Sequence, residues 1–263
     1  MAGADTLAEN ISLDRFNELL SRYSSLIKSV SSEKAPKTGQ LSLLELDNYR
    51  YTIAVDVFQS SKPKRQMEHD DVKTLVDWKL RHGKFRPTLM KLVSSNDGEI
   101  VKKIIREAMA QYWSDNNITK ATDAIAKLKG IGPATASLLL SVHDPNRAIF
   151  FSDEAFWWLC CDGQKSPIKY NAKEYQQLSI AAEKVTKRLQ VGATDLEKVA
   201  YAIMKDDARQ PDPSVSQSQT KPTIKKGKVA DEVTRKAPVK RKNSSATDTK
   251  DTPLRRSQRQ KAS

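Results

Sequence analysis

Residues 128–137, LKGIGPATAS, constrain this chain more than any other stretch. Gly130 and Gly132 permit a tight turn between two helices and the close approach of another backbone. Ile131, set between them, can plug the core of that turn. Pro133 suits the first position of a helix, where a missing N–H costs nothing. Ala134 and Ala136 are small, and Ala136 lets the two helices approach. With Thr135, they leave the N–H groups of the turn and of the helix start facing outward. The helix dipole also favours an anion there. Lys127 and Lys129 flank the turn and add charge. The pattern predicts a clamp for the phosphates of a nucleic-acid backbone, which would position the protein without reading sequence. The bland alternative is an ordinary helix connection with no ligand.

The rest of the body reads as helical. Residues 13–29 carry Phe16, Leu19, Leu20, Tyr23 and Ile27 on one face, followed by a linker over 31–40. A second loop is expected over 60–70. Asp70, Val72, Leu75, Val76 and Leu80 suit a helix opened by an acidic cap. Ile100, Ile104, Ile105, Ala108 and Tyr112 are spaced for a helix over 99–113. Ala121, Ala124, Ile125 and Leu128 point inward from a short helix over 119–128. Further helices are expected over 133–142, 175–189 and 194–205. The best strand signal is Ala148-Ile149-Phe150-Phe151, and it is short. The fold class expected is an all-α bundle of roughly eight to ten helices. Residues 1–39 form an N-terminal helix and linker, residues 40–205 the helical domain, and residues 206–263 a tail.

The formal net charge of +13 favours a polyanionic partner. Much of it sits in residues 206–263, where 15 Lys/Arg face 7 Asp/Glu, a net of +8. That stretch has no aromatic residue and almost no large aliphatic one, so disorder is expected. Its clusters Lys240-Arg241-Lys242 and Arg255-Arg256-Ser257-Gln258-Arg259 suit nuclear import and non-specific attraction to DNA. No apolar run is long enough to span a membrane, and no secretory signal opens the chain. The two cysteines, Cys160 and Cys161, are adjacent, read as small buried hydrophobes, and cannot form a metal site alone.

LKGIGPATASLLLSV followed by AIFFSDEAF resembles the helix-hairpin-helix DNA glycosylases, over residues 120–160 for the most part. The resemblance implies a helix-hairpin-helix glycosylase-like bundle whose catalytic aspartate follows the first glycine of the turn by a little over twenty residues. Asp153 stands 23 residues after Gly130 and matches that position. A carboxylate beside a flipped nucleotide would stabilise positive charge on the sugar or orient water. As a helix opener, Asp153 is equally suited to capping residues 154–160. Three departures narrow the chemistry. Ala134 stands where bifunctional members carry a lysine nucleophile, so lyase activity is not expected. Two cysteines exclude the family's four-cysteine iron–sulfur cluster, and no cofactor or metal is expected. Before the aspartate, residues 143–147 keep Pro145 but not a Gly–Pro run.

The segment Asp77-Trp78-Lys79-Leu80-Arg81-His82-Gly83-Lys84-Phe85-Arg86-Pro87 packs five potential cations and two aromatics into eleven residues. It resembles a segment of eukaryotic, especially fungal, proteins of this glycosylase-like group. Gly83 should end one helix and Pro87 begin the next. Lys84 and Arg86 would then sit on an exposed turn suited to phosphate, and Trp78 reads as core. Trp157 and Trp158 are adjacent, so one should be core and the other line a cleft beside Asp153. His69, His82 and His143 are scattered and carry no assigned role.

Two readings follow. One is a nuclear, monomeric, monofunctional DNA glycosylase that contacts the DNA backbone and a flipped base, with Asp153 as catalytic carboxylate. The other is a DNA-binding or chromatin-associated protein that keeps the fold without the chemistry. A protein-interaction subunit localised by its basic tail is a weaker third. A cavity at Asp153 discriminates the first two.

Overall fold

The computed structural model describes residues 4–33 and 35–209, with side chains from residue 5 to residue 205. Residues 210–263, and with them Lys240, Arg241, Lys242, Arg255 and Arg256, lie outside the described residues. The described chain is helical, with no strand among those residues. None of its helices is long and apolar enough to cross a membrane.

The first helix, α1 (Leu13–Glu33), is longer than its sequence period suggested. It buries Phe16, Leu19, Tyr23, Leu26 and Ile27, while Leu20 is half-buried. After the link come α2 (Leu43–Asn48) and α3 (Ala54–Phe58), joined through a π-helical stretch at Tyr49–Ile53. A capping box at Ser42 and Glu45 opens α2. Next is α4 (His69–His82), whose cap is Glu68 with Asp71, not Asp70 as expected. Asp70 instead pairs with Lys73 on the surface.

The short α5 (Leu89–Ser94) precedes α6 (Gly98–Asp115), which Asp97 caps. On α6 the inward face is Val101, Ile105, Ala108, Met109 and Tyr112. Ile100, expected inward, is 53% exposed, because the stripe is set one position later. Then α7 (Ile118–Ile125) and α8 (Pro133–His143) flank the glycine turn. The chain finishes with α9 (Asp153–Cys160), α10 (Ala172–Leu189) and α11 (Ala193–Arg209).

Every residue of α8 from Ala134 to His143 is buried. A helix apolar all round belongs in the interior, and two core clusters lie against this one. One gathers α2 to α7 around Trp78, Leu75, Tyr112 and Leu139. The other gathers α9 to α11 around Trp158, Phe151, Leu178 and Leu196. The N-terminal segment joins both: Phe16 and Leu19 pack in the second, Tyr23, Leu26 and Ile27 in the first. Trp158 Nε1 also donates to the carbonyl of Thr6 at 2.8 Å. A buried pair ties the clusters across α8, with Arg50 Nη2 3.1 Å from Glu197 Oε2 and 2.7 Å from Ser141 Oγ.

Residues 148–151, the best strand signal, have no strand partner and no regular structure, though all four are buried. A buried irregular backbone needs partners for its polar groups, and side chains supply them. Phe150 N–H donates to Glu197 Oε1 at 2.7 Å, and Phe151 N–H to Ser137 Oγ at 2.9 Å. The carbonyl of Ile149 accepts from Tyr175 Oη at 3.1 Å.

Candidate functional site

The turn between α7 and α8 is built largely by local chemistry. Leu128 and Ile131 are buried, and Ile131 N–H closes back on Leu128 O at 3.1 Å. Gly130 has φ +77, the left-handed region that favours glycine. A Cβ there would also lie 2.9 Å from Leu92 Cβ, so the turn is seated directly on α5. Asn96 fixes the same seat, accepting from Lys129 N–H at 2.8 Å and donating to Lys129 O at 2.9 Å.

Gly132 differs from Gly130. Its φ is −98, and a Cβ built on it meets nothing within 4 Å. The fold itself therefore does not require glycine at 132. What its missing side chain leaves open is the approach to the start of α8. There the N–H groups of Gly130, Gly132 and Ala134 make no hydrogen bond among the described residues. Lys127 and Lys129 are exposed beside them. Ile131, Ala134 and Thr135 have buried side chains, so what they can offer a ligand is backbone.

Asp153 is delivered by the pinned segment before it. Ser137, one turn into α8, holds Phe151, and Asp153 follows two residues on. The helix it opens is capped by Ser152, whose Oγ accepts from Ala155 N–H at 3.0 Å. Capping, one expected role of Asp153, is therefore met by Ser152, and the Asp153 carboxylate turns elsewhere. It accepts a 2.5 Å hydrogen bond from Tyr170 Oη and lines a cavity of about 220 Å³. Drug-sized ligand pockets run to roughly 300–1,000 Å³, so this one suits a single ring-sized group.

The cavity walls come from distant parts of the chain. It is lined by residues 150–154, Trp157 and Tyr170, and by the cations Lys79, Lys84, Arg86 and Lys205. Tyr170 sits at φ 55, a conformation that costs a non-glycine residue on the order of 1 kcal/mol. Its position is held by the bond to Asp153 and by the Arg86 guanidinium, 5.1 Å from its ring centre. Burial first, then the Asp153 carboxylate, pushes the Tyr170 hydroxyl far above its ordinary range, so it remains a donor.

Burial raises the Glu154 carboxyl; its own N–H and the Lys205 ammonium, 3.7 Å away, oppose the rise. Lys79 is displaced the other way, pushed down to about 8 by burial and by the Arg86 charge, against the pull of Asp153. His82 also lines the cavity, stacked at 4.4 Å on Trp78, and burial keeps it neutral with a pKa lowered to about 3.

The segment 77–87 thus splits by burial. Trp78 is core and donates to Asp47 Oδ1 at 2.9 Å. Gly83 ends α4, its N–H bonding Lys79 O. Pro87 does not open the next helix, which starts at Leu89 after Thr88. Lys84, Phe85 and Arg86 form the exposed turn between. Of the tryptophan pair, Trp158 is core and Trp157 lines the cavity, donating to Ser166 O at 2.8 Å. Cys160 and Cys161 are free and only half-buried, not the fully buried hydrophobes expected.

Sequence reasoning missed Lys79, Tyr170 and Lys205 as cavity residues. Lys79 lay in a segment already marked, but nothing in one sequence says which of its five cations share a cavity with Asp153. Tyr170 and Lys205 carry no local signal. Among the described residues no cluster of three metal-binding side chains occurs. No family model, no curated protein and no solved structure matches the chain.

Proposed function

We propose that this chain is a nuclear DNA-binding protein with a helix-hairpin-helix glycosylase-like fold that excises a base, with Asp153 as catalytic carboxylate. The observation that carries the reading is Asp153 itself. Freed from capping by Ser152, it lines a ring-sized cavity together with four cationic side chains. The turn at 128–137 supports it with unpaired N–H groups at a helix N-terminus, a site for a DNA phosphate. Both are mounted on α8: the turn opens the helix, and Ser137 sets the segment leading to Asp153.

In this mechanism a flipped nucleotide places its base against Trp157 and Tyr170. As the base departs, the sugar gains positive charge, and the Asp153 carboxylate stabilises it. Lys84 and Arg86 hold the neighbouring phosphates. The basic clusters at 240–242 and 255–259 direct import and add non-specific attraction.

The test is incubation with duplexes that each carry one damaged base, comparing wild type with Asp153→Asn. Base release by wild type and not by the variant supports the reading. Duplex binding with no release across a broad panel replaces it with a non-catalytic, chromatin-associated role. Deleting 206–263 tests the tail, and an unchanged salt dependence of binding ends its DNA role.

A further inference from the structure

A second cavity, of about 270 Å³, is lined by the loop before α4, by α6 and by His143, the last residue of α8. It shares no lining residue with the Asp153 cavity, and its character is the reverse. The buried Met67, Ile105 and Met109 supply apolar surface, and thioether side chains adapt readily to flat rings. Among the described residues Arg106 is the single charged side chain lining it, and Arg106 is exposed. Two polar atoms of the lining residues lack partners. Trp113 Nε1 is withdrawn from solvent and donates to nothing, and a buried donor left unpaired keeps its desolvation cost. His143 is buried and fixed, its ring stacked on Phe58 and its Nδ1 2.8 Å from the carbonyl of Leu139. A ring nitrogen facing a carbonyl must carry the hydrogen. Burial lowers the pKa of His143 to about 4, against the raising effect of that carbonyl, so the ring is neutral and Nε2 is a bare acceptor. Nε2 makes no hydrogen bond among the described residues. Ser60, which also lines the cavity, holds φ 126 and donates its N–H to His143 O at 3.2 Å. Strained backbone of this kind gathers at ligand clamps.

We propose that this cavity binds a small neutral heterocycle that brings a carbonyl oxygen to Trp113 Nε1 and a ring N–H to His143 Nε2. Apolar walls and a neutral imidazole disfavour a charged ligand, and the two unpaired atoms select one acceptor and one donor. The site is independent of the base-excision reading and stands or falls without it.

The experiment uses two probes, 2-pyridone and 4-pyridone, which hold a carbonyl and a ring N–H side by side and across the ring. Each is titrated into the full chain carrying an isotopic nitrogen label, and the indole N–H signals of its four tryptophans are followed by NMR. Trp113→Phe identifies the Trp113 signal by its loss. With at least one probe the Trp113 signal should shift saturably over the millimolar range expected of so small a ligand, while Trp78, Trp157 and Trp158 stay in place. The N-methyl derivative of that probe lacks the N–H and should bind about tenfold more weakly, because the His143 acceptor is left unpaired. Ala110 lines the cavity and is exposed, so Ala110→Phe fills the space without entering the core, and binding should be lost. The titrations of the wild-type chain decide the matter even if a variant misfolds. No shift of the Trp113 signal with either probe overturns the proposal and leaves water as the occupant. Equal binding of the N-methyl derivative, or binding undiminished in Ala110→Phe, overturns it as well.

Discussion

The glycine turn and the Asp153 cavity are opposite ways of building a site. The turn draws on neighbours in sequence, with Leu128, Gly130, Ile131 and Pro133 within six residues and one outside brace, Asn96. It offers backbone N–H groups, so its side chains are free to pack inward. The cavity takes Lys79 from α4, Asp153 from α9, Tyr170 from a loop and Lys205 from α11. What it offers is side chains, which must be aimed by parts of the chain remote in sequence. A backbone site tolerates many substitutions that keep its geometry. A side-chain site depends on each group and on whatever orients it.

The strongest test of this contrast is Asp153→Asn. It should lower base release by about 10²–10⁴-fold while duplex affinity barely moves, read by single-turnover kinetics beside a binding titration. Equal losses in both would merge the two sites into one.

Gly130→Ala attacks the turn through the fold. A side chain there meets both a positive φ and α5, so unfolding in urea should show a loss of about 2–4 kcal/mol. Gly132→Ala is the counterpart. With φ −98 and open space, stability should stay within ~0.5 kcal/mol. Duplex affinity should nevertheless fall, because the methyl occupies the phosphate's approach. Unchanged affinity would show that the turn is only a connection.

Lys79→Met tests the cavity's electrostatics through stability. The folded amine titrates near 8, below its unfolded value of ~10.4. Below pH 8 both states are charged and the folded one bears the burial cost. Between 8 and 10.4 the unfolded state binds more protons, so wild-type stability rises with pH. The variant should therefore be more stable than wild type at pH 7, by roughly 1–3 kcal/mol. That advantage should shrink toward pH 10, as urea unfolding at the two pH values would show. The smallest effect is expected from Lys127→Gln with Lys129→Gln. It should weaken all duplexes alike and reduce the salt slope of binding by about 1 for each phosphate that is no longer neutralised.

Such contrasts explain what was legible beforehand. Helix positions followed from periodic apolar residues, and Gly130 and Pro133 announced a turn whose geometry they largely dictate. Asp153 was marked by its spacing from Gly130, which reflects the length of α8 plus the segment after it. Its freedom from capping was not legible, because Ser152 and Asp153 suit an N-cap equally and only packing chose between them. The AIFF stretch shows the same limit. Its composition suits a strand, yet Glu197, Ser137 and Tyr175 satisfy its backbone from three other helices.

The sequence by itself determined the all-helical class and the glycine turn between α7 and α8. Those depend on backbone conformations and side-chain types that act within a few residues. The tertiary structure alone decided that Lys79, Tyr170 and Asp153 share a cavity, and that the pKa of the amine there is lowered to about 8. Burial and the charge of Arg86 set that property, and both come from residues that only the packing of α4 against the 150–154 segment brings together.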